Sequence, residues 1–333
     1  LVGCGAPVAT PTPLPPTATS VPPTDMPTAV PPTPAATTAS AGGIWRTRTD
    51  MPTERWELSI CVVDGRIYAI GGAGPLYPAL GTVEVYDPAT DTWTAKSEMP
   101  TARQGLSTSV VNGRIYAIGG GVYSSGTYDT SSAVEEYDPA TDTWTTKSPI
   151  PTERGWHSAS VVDGKIYIMG GSQDSAPNAK HVQTVEVYDP ATDTWSQKGE
   201  TPRSIGAGFS STVDGKIYVI GGHGGAQRVD EYDPATDTWT VKSGMPIVRV
   251  GLSTSVLDGK VYAIGGVSSG SGYRGVTTVD VYDPAMDTWT TAPDMPTGRF
   301  GAYTGVVDGK IYVFGGLSDW PASAYGIVEE YDP

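Results

Sequence analysis

The sequence has few cysteines, few histidines and few phenylalanines. Its two cysteines, Cys4 and Cys61, are too few for a disulfide-stapled framework or a cysteine-rich metal site. Only 17% of the 333 residues are charged, and no uninterrupted apolar run reaches the roughly 18 residues that a transmembrane helix needs. Acidic residues outnumber basic ones, 36 to 21, and the formal net charge is -15. This balance argues against nucleic acid or an anionic lipid surface as the main partner, because both require a basic face.

The abundant residues favour β structure. The sequence contains 42 glycines and 29 prolines, and its 18 tyrosines and 9 tryptophans stand against 3 phenylalanines. Glycine and proline supply turns, while tyrosine and tryptophan suit β-rich packing in which each ring keeps its polar tip hydrogen-bonded. We therefore expect one turn-rich β architecture with a large core rather than two separate domains.

The N-terminal segment differs from the rest of the chain. Residues 1–4, Leu-Val-Gly-Cys, resemble a bacterial lipobox, in which the cysteine becomes the lipid-modified first residue of the mature protein. We expect a longer precursor and a lipid on Cys4, with a chance cysteine as the alternative. Residues 5–43 are mostly Pro, Thr and Ala, with too few large apolar residues to offset chain entropy. This segment is predicted to be a disordered linker that holds a lipid-anchored domain outside the cytoplasm, at the bacterial cell envelope.

From Trp45 onward the sequence repeats itself six times. Six tryptophans lie 44 to 51 residues apart, and the same period carries a Gly-Gly pair, a Tyr-Asp-Pro triplet and an Asp-Gly or Asn-Gly dipeptide. The tryptophans are Trp45, Trp93, Trp144, Trp195, Trp239 and Trp289. The glycine pairs begin at Gly71, Gly119, Gly170, Gly221, Gly265 and Gly315. The triplets begin at Tyr86, Tyr137, Tyr188, Tyr232, Tyr282 and Tyr331.

Each mark predicts a strand or a turn, as the first unit illustrates. The Asp-Gly dipeptide at Asp64 predicts a hairpin turn between strands 58–63 and 66–70, because a type I′ turn needs positive φ at both central residues. The glycine pair lets the backbone turn sharply or approach a neighbour closely. A third strand over 82–86 and a fourth that carries the tryptophan complete a four-stranded antiparallel sheet.

These marks together strongly resemble the kelch repeat, whose fold is a β-propeller of four-stranded blades. The resemblance covers residues 45–333 and implies an all-β, six-bladed propeller over residues 44–333. The repeats begin with a lone fourth strand around Trp45 and stop at Tyr331-Asp332-Pro333, where the sixth fourth strand is due. We therefore predict that the two ends pair within the last blade, which closes the ring and leaves no open edge.

Length variation among the repeats predicts the functional face. Between the second glycine of the pair and the tyrosine lie 10 to 17 positions, whereas the other intervals are constant. Variable loops of repeat proteins collect on one face, often the binding face, which here also carries the connections between blades. Polar and aromatic residues of these loops are Tyr77, Tyr123, Tyr128, His181, His223, Arg228, Tyr273, Arg274, Asp319, Trp320 and Tyr325.

Repeated arginines lie on the connections between blades. They are Arg55, Arg103, Arg154, Arg249 and Arg299, while unit four has Ile205 in this register and Arg203 two residues earlier. If strand one is innermost, as the kelch resemblance implies, these arginines surround the channel mouth and attract anions. In the alternative interpretation they pair with the repeated acids of strand three and belong to the scaffold. Those acids are Glu84, Glu135, Glu186, Asp230, Asp280 and Glu329.

Residues that break the repeat are better indicators of function. Trp56, Glu57, Trp156, His157 and Phe300 stand beside the repeated arginines where other units have small residues. Flat aromatic side chains mixed with Arg, Asp and His suit sugar rings and peptide side chains. We predict that a glycan or protein ligand binds at Arg55, Trp56, Arg103, Arg154, Trp156, His157, Arg249, Arg299 and Phe300. The protein is expected to act as a monomeric binding module.

The evidence for catalysis in the sequence is weak. It carries no Gly-rich phosphate loop, nucleophile elbow or zinc signature, and we predict no metal and no cofactor. Cys61 falls within a strand at a core position and is predicted to be a small buried residue, which argues against a copper oxidase resembling galactose oxidase. Some secreted six-bladed kelch propellers are sialic-acid mutarotases, and this resemblance makes a sugar mutarotase the alternative function. Arg154 and Glu153 would then bind the anion and transfer the proton.

Overall fold

The computed structural model describes residues 38–39, 42–75, 78–124, 127–173, 180–206, 209–222, 227–268, 274–319 and 324–333. Within these ranges the secondary structure consists of strands and turns, and no helix there could cross a membrane. The predicted lipidation site Cys4 and most of the predicted linker lie outside the described residues. Thr38–Ala39, inside the predicted linker, forms a short strand that pairs in parallel with Thr288–Ala292.

Six blades, each built on a four-stranded antiparallel sheet, confirm the predicted all-β propeller. The innermost strands are Ser59–Val63, Ser107–Val111, Ser158–Val162, Phe209–Val213, Ser253–Leu257 and Tyr303–Val307. The second strands are Arg66–Ile70, Arg114–Ile118, Lys165–Met169, Lys216–Ile220, Lys260–Ile264 and Lys310–Phe314. The third strands are Val83–Asp87, Val134–Asp138, Thr184–Asp189, Val229–Asp233, Val279–Asp283 and Val328–Asp332. The outer strands are Thr92–Lys96, Thr143–Thr146, Thr194–Glu200, Thr238–Lys242, Thr288–Ala292 and, for blade six, Ile44–Arg48.

Two further pairs of short strands lie in the loops between second and third strands or beside them. In blade two, Gly121–Ser124 pairs with Thr127–Thr130 as a small hairpin. In blade five, Arg249–Val250 pairs with Val267–Ser268. Both pairs lie on the face that carries the variable loops, so these loops extend the blades there with hydrogen-bonded structure.

The two ends of the repeat region close the ring as predicted. Ile44–Arg48 pairs antiparallel with Val328–Asp332, with Trp45 opposite Tyr331. Arg48 also donates a hydrogen bond from Nε to Oε2 of the buried Glu330 across this pairing, at 2.7 Å. The closing strand therefore covers the edge that blade six would otherwise expose.

The innermost strands line the axis of the ring. Each contacts the innermost strands of the two neighbouring blades, and the one in blade six contacts the one in blade one. Apolar clusters fill the space between blades: Ile67 and Tyr86 of blade one pack with Tyr312 and Phe314 of blade six. Cys61 is buried as predicted, and burial raises the pKa of its thiol to about 12.

The repeated Tyr, Asp and Trp tie neighbouring blades together at their outer edges. The Tyr86 hydroxyl donates to Asp91 Oδ1 at 2.5 Å, and the same oxygen accepts the backbone N–H of Thr49 from blade six. The Trp93 indole N–H donates to the Thr49 carbonyl at 3.0 Å. Asp91 itself has φ of 54°, a conformation that Asp tolerates better than most residues. The tyrosine of the triplet, the aspartate five residues later and the tryptophan therefore act as one connection between blades.

Candidate functional site

The repeated arginines are buried and paired with the acids of the third strands. The pairs are Arg55–Glu84 at 2.7 Å, Arg103–Glu135 at 2.8 Å, Arg154–Glu186 at 2.5 Å, Arg203–Asp230 at 2.7 Å, Arg249–Asp280 at 2.5 Å and Arg299–Glu329 at 2.7 Å. We call these six pairs the arginine belt. In blade four Arg203 makes the pair from two residues earlier in the chain, while Ile205 is buried. Burial lowers the pKa of Arg154 to about 10, so this guanidinium stays charged at neutral pH.

Each belt arginine also holds backbone groups of its own blade. Arg55 Nη1 donates to the carbonyls of Gly71, at 2.9 Å, and Thr82, at 3.0 Å, which are the two ends of the variable loop. Arg154, Arg249 and Arg299 make the equivalent two bonds in their blades. In these four blades the arginine therefore brings the two ends of the loop together.

A repeated threonine completes the belt, and sequence reasoning missed it. Thr53 Oγ1 donates to Glu84 Oε1 at 2.7 Å, which leaves both carboxylate oxygens bonded. Thr101, Thr152 and Thr297 do the same in other blades. The signal was available, because in these four units threonine directly follows the repeated proline. Blade five has Ile247 instead, and there the buried Asp280 Oδ1 has no partner.

The belt divides the residues of the predicted ligand site into two groups. The guanidinium groups of Arg55, Arg103, Arg154, Arg249 and Arg299 are fully buried and face carboxylates and carbonyls, so they present no surface to a ligand. Of the two interpretations of these arginines, the structure shows the pairing. The aromatic members of the predicted site, in contrast, lie where a ligand can reach them.

A cavity of about 220 Å³ lies on the axis of the ring at the face of the variable loops. Residues from the starts of all six innermost strands line it, with Trp56, Trp156 and Phe300. We call Trp56, Glu57, Trp156, His157 and Phe300 the channel mouth. The three aromatic side chains are each half-buried. Four of the nine predicted site residues, Trp56, Trp156, His157 and Phe300, therefore come together around one cavity.

Two further aromatic residues narrow the cavity, and they were not predicted. Phe209 and Tyr303 come from blades four and six, with ring centroids 5.7 Å apart in an edge-to-face arrangement. Both stand at the first position of an innermost strand, where the other four blades have serine. The break in the serine pattern was a usable signal in the sequence, once the innermost strand was known.

Strained backbone marks the channel mouth. The second residue after the belt arginine is a left-handed glycine in blades two, five and six, with φ of 61° at Gly105, 62° at Gly251 and 60° at Gly301. Blades one and three instead place Glu57, φ 49°, and Trp156, φ 51°, in this conformation. Among the described residues every other non-glycine residue with positive φ is an aspartate or asparagine. Such strain, of order 1–3 kcal/mol per residue, concentrates at functional sites.

Backbone and side-chain bonds join Glu57 and Trp156 across the intervening blade. Gly105 N–H donates to the Glu57 carbonyl at 2.9 Å, and Trp156 N–H donates to the Gly105 carbonyl at 2.8 Å. The Gln104 amide donates to Glu57 Oε2 at 3.0 Å. Burial raises the pKa of Glu57 to about 7, against hydrogen bonds from Trp156 and Gln104 that lower it. Glu57 is therefore a carboxyl group that titrates near neutral pH.

A variable loop supports the Trp156 side chain. Its ring stacks on Tyr128 from the blade-two hairpin, with centroids 3.9 Å apart and an angle of 25° between the planes. The buried Tyr128 hydroxyl donates to the Gln104 carbonyl at 2.8 Å. Tyr128, predicted as a loop residue of the binding face, thus packs against Trp156 and does not line the cavity itself.

His157 is a buried, neutral member of the mouth. Its Nε2 lies 2.8 Å from Ser107 Oγ, and burial, with the nearby Arg154 and Arg103, lowers its pKa to about 3. His181 lies in a loop of the same blade, and His223 is outside the described residues. The part of the chain that the structure describes contains no group of three or more His, Cys, Asp or Glu arranged to hold a metal ion.

The other loop residues are placed away from the cavity or fall outside the described ranges. Arg228 pairs with Asp230 at 2.6 Å, and Arg274 and Asp319 form a backbone bridge between blades five and six. Tyr123 is exposed, and the exposed Glu153 likewise does not line the cavity. Tyr77, His223, Tyr273 and Trp320 lie outside the described residues.

Comparison with known proteins agrees with the repeat pattern. The chain matches the KLHDC2/KLHL20/DRC7 Kelch-repeats domain over residues 38–171 and 145–316. It is 28% identical to Kelch-like protein 36 of Bos taurus over 181 residues, which are 54% of this chain and 29% of that protein. It is 39% identical to Kelch-like protein terF of Aspergillus terreus over 100 residues, 28% of this chain and 21% of that protein. The match thus spans less than a third of either relative.

A solved structure shows the same fold. The structure of YjhT superposes with a TM-score of 0.72 at 18% identity, over 83% of this chain and 94% of that chain. At this identity the likeness concerns the fold alone. The repeats, the closed ring of blades and the match to the domain family lead to one conclusion: the chain belongs to the Kelch-repeat family, whose propellers commonly serve as protein-interaction modules.

Proposed function

We propose that this propeller is a binding module whose glycan or protein ligand enters the channel mouth. The observation that carries the proposal is the cavity lined by Trp56, Trp156 and Phe300, three half-buried aromatic side chains on the face of the variable loops. Aromatic side chains at a concave site provide large contact area for a sugar ring or a peptide side chain. The strain at Glu57 and Trp156 supports the same location, because glycine would be easier to accommodate there.

The proposal includes a location for the module. We propose that a lipid on Cys4 and the Pro-rich segment after it hold the propeller at the outer surface of a bacterial membrane, where glycans and partner proteins are accessible. The lipobox-like residues 1–4 and the composition of residues 5–43 support this location. Expression of the precursor in cells fed radiolabelled palmitate tests this location. The protein should carry the label and fractionate with the membrane, and Cys4→Ser should abolish both the labelling and the membrane association.

Glycan and peptide arrays test the binding site directly. The double variant Trp56→Ala with Trp156→Ala should lose binding of the array ligand by at least about tenfold, because each ring removes a large contact. Tyr123→Ala is the matched control: this exposed aromatic residue lies on the same face but does not line the cavity. Unchanged binding by the double variant would place the ligand elsewhere and contradict the proposal.

A sugar mutarotase is the second candidate, and Glu57 is the observation that favours it. A carboxyl group with a pKa of about 7 in a cavity can give and take a proton at neutral pH, as ring opening of a sugar requires. Glu57 takes this role better than Glu153, which is exposed, and Arg154 is fully buried. Anomer exchange of sialic acid followed by NMR should then be faster with the protein than with Glu57→Gln. Binding on the glycan array without faster exchange would reject the enzyme.

A further inference from the structure

The ionisable side chains that line the cavity determine which charge a ligand can carry. Among the described residues that line the cavity, Glu57, His157 and Tyr303 are the titratable ones. His157 is neutral at physiological pH because its pKa is lowered to about 3. Burial raises the pKa of Tyr303 above its ordinary range, so its hydroxyl also stays neutral. Glu57 therefore supplies the charge of the lining, which is negative when its carboxyl group is ionised.

The arginine belt does not reverse this sign. Each belt arginine near the mouth faces its own carboxylate at 2.5 to 2.8 Å, so each pair is close to neutral as seen from the cavity. The chain as a whole carries a formal charge of -15. An anionic group entering the mouth would lose its hydration without gaining a free cationic partner, which is unfavourable. A cationic group would gain one carboxylate.

Two aromatic rings line the same cavity as that carboxylate: the Trp156 side chain hydrogen-bonds to Glu57, and Trp56 is the residue before it in the chain. The Trp156 indole lies against Gly105 of blade two, where an added Cβ would approach its Nε1 at 3.0 Å. The Trp56 ring lies against Gly301 of blade six, where an added Cβ would approach its Cε3 at 3.7 Å. Glu57 in blade one is between these two neighbouring blades. The face of a Trp ring attracts a cation more strongly than the face of a Tyr or Phe ring.

The size of the cavity favours a single side chain. Its volume of about 220 Å³ is below the range of roughly 300–1,000 Å³ that is usual for pockets binding drug-sized ligands. The rest of a larger ligand would stay outside, on the face of the variable loops.

We propose that the channel mouth binds a lysine or arginine side chain of a protein partner, with Glu57 as counter-ion and Trp56 and Trp156 against its apolar and cationic parts. This inference rests on the proposed binding function and specifies the ligand chemistry. It predicts a basic recognition residue in the partner, and it disfavours anionic sugars.

Proton linkage follows from the same geometry. Among the described residues, Tyr128 and Tyr303 interact electrostatically with Glu57 and His157 lines the same cavity, and all three stay neutral between pH 5.5 and 8. Of these four groups, Glu57 is the one that changes charge in this interval. The affinity for a cation should therefore rise with pH, by roughly an order of magnitude between pH 5.5 and 8, as Glu57 becomes ionised.

Small probes test the inference on the whole chain. Protein with ¹⁵N-labelled tryptophan is titrated with N-acetyl-lysine methylamide, with its trimethylammonium analogue and with the neutral norleucine analogue. Trp156→Phe assigns the Trp156 indole signal. The two cationic probes should shift this signal saturably, the norleucine probe should bind at least about tenfold more weakly, and Glu57→Gln should abolish the difference and the pH dependence. Glu153→Gln, an exposed carboxylate on the same face, should behave as the unmodified protein.

A second variant separates binding from folding. Glu57→Gly restores the residue type of blades two, five and six at this position, so it should raise the midpoint of thermal unfolding while cation binding is lost. Equal affinity for the lysine and norleucine probes would overturn cation recognition but leave the binding module intact. Absence of probe binding would also overturn cation recognition. If binding of the array ligand still depended on Trp156 in that case, the proposed binding function would stand. Array binding independent of Trp156 would overturn the proposed function itself.

Discussion

The arginine belt and the channel mouth lie next to each other in the chain, but the belt follows the repeat in every blade whereas the mouth consists of residues that depart from it in blades one, three and six. The belt repeats: each of its six arginines is buried and bonded to a carboxylate of its own blade. The mouth breaks the repeat: Glu57 and Trp156 occupy a backbone conformation that three other blades give to glycine. The belt thus contributes to stability, whereas the mouth gives up stability for side chains that a cavity can use.

Breaking the belt should have the largest effect. Arg299→Ala leaves Glu329 buried without its cationic partner and frees the carbonyls of Gly315 and Ile327. We expect a loss of about 3–5 kcal/mol in the free energy of unfolding, measured by urea denaturation. Arg66→Ala is the control, because Arg66 is exposed and its pair with Asp87 spans 3.6 Å. A loss below about 1 kcal/mol in Arg299→Ala would show that the belt is dispensable.

Two glycines of blade one, Gly71 of the glycine pair and Gly65 of the Asp-Gly turn, separate the cost of a left-handed backbone from the cost of a close contact between blades. Gly71 and Gly65 both have positive φ, 64° and 71°, but a Cβ on Gly71 would meet the Arg103 carbonyl at 2.7 Å whereas a Cβ on Gly65 meets nothing within 4 Å. Gly65→Ala should therefore cost about 1 kcal/mol for conformation alone. Gly71→Ala should cost about 3 kcal/mol, because the next blade must move. Equal thermal unfolding midpoints for the two variants would contradict the close contact between blades.

Titration of Glu57 should make the contribution of the channel mouth to stability depend on pH near neutrality, unlike that of the belt. Burial raises the pKa of Glu57 from 4.5 to about 7, so the folded protein holds this proton more tightly than the unfolded chain. The contribution to stability is complete below pH 4.5 and is lost as the pH rises through 7. The stability difference between the unmodified protein and Glu57→Gln should change by on the order of 2 kcal/mol from pH 4.5 to 8. A constant difference in urea titrations would contradict the raised pKa.

Repairing the incomplete pair of the belt should have the smallest effect. Ile247 stands in blade five where four other blades have threonine, and Asp280 Oδ1 is buried without a partner. Ile247→Thr should supply the missing hydroxyl and stabilise the protein by about 1 kcal/mol, since Ile247 is exposed and little burial is lost. Thr297→Ala should destabilise by a similar amount, because it removes the equivalent bond. A destabilised Ile247→Thr, measured by thermal unfolding, would show that the threonine does not belong to the belt.

The marks of the fold were readable because they are local. Asp-Gly turns, glycine pairs and Tyr-Asp-Pro triplets each act within a few residues, and six copies of one pattern leave a single way to arrange them. Even the closing pair of Trp45 with Tyr331 followed from which strand was missing at each end. For the same reason Trp56, Trp156 and Phe300 were recognisable as exceptions to the pattern and do line the cavity.

Side-chain contacts between different blades could not be predicted from the sequence. Gln104 of blade two donates to Glu57 of blade one, and Tyr128 stacks under Trp156 of blade three, at distances that no local pattern encodes. Whether a repeated arginine points to the channel or to an acid also depends on side-chain direction, which the spacing of the residues leaves open.

The amino-acid sequence by itself determined six repeats, a closed ring and the face on which exceptions to the repeat collect, because turn chemistry and hydrophobic alternation act on neighbouring residues. Only the tertiary structure decided which charges remain available to a ligand. The belt arginines are neutralised by acids of strands about 30 residues away in the chain, whereas Glu57 lines the cavity and forms no ion pair with any of the described residues. Charge balance at a site depends on distances in space, and folding alone sets those distances.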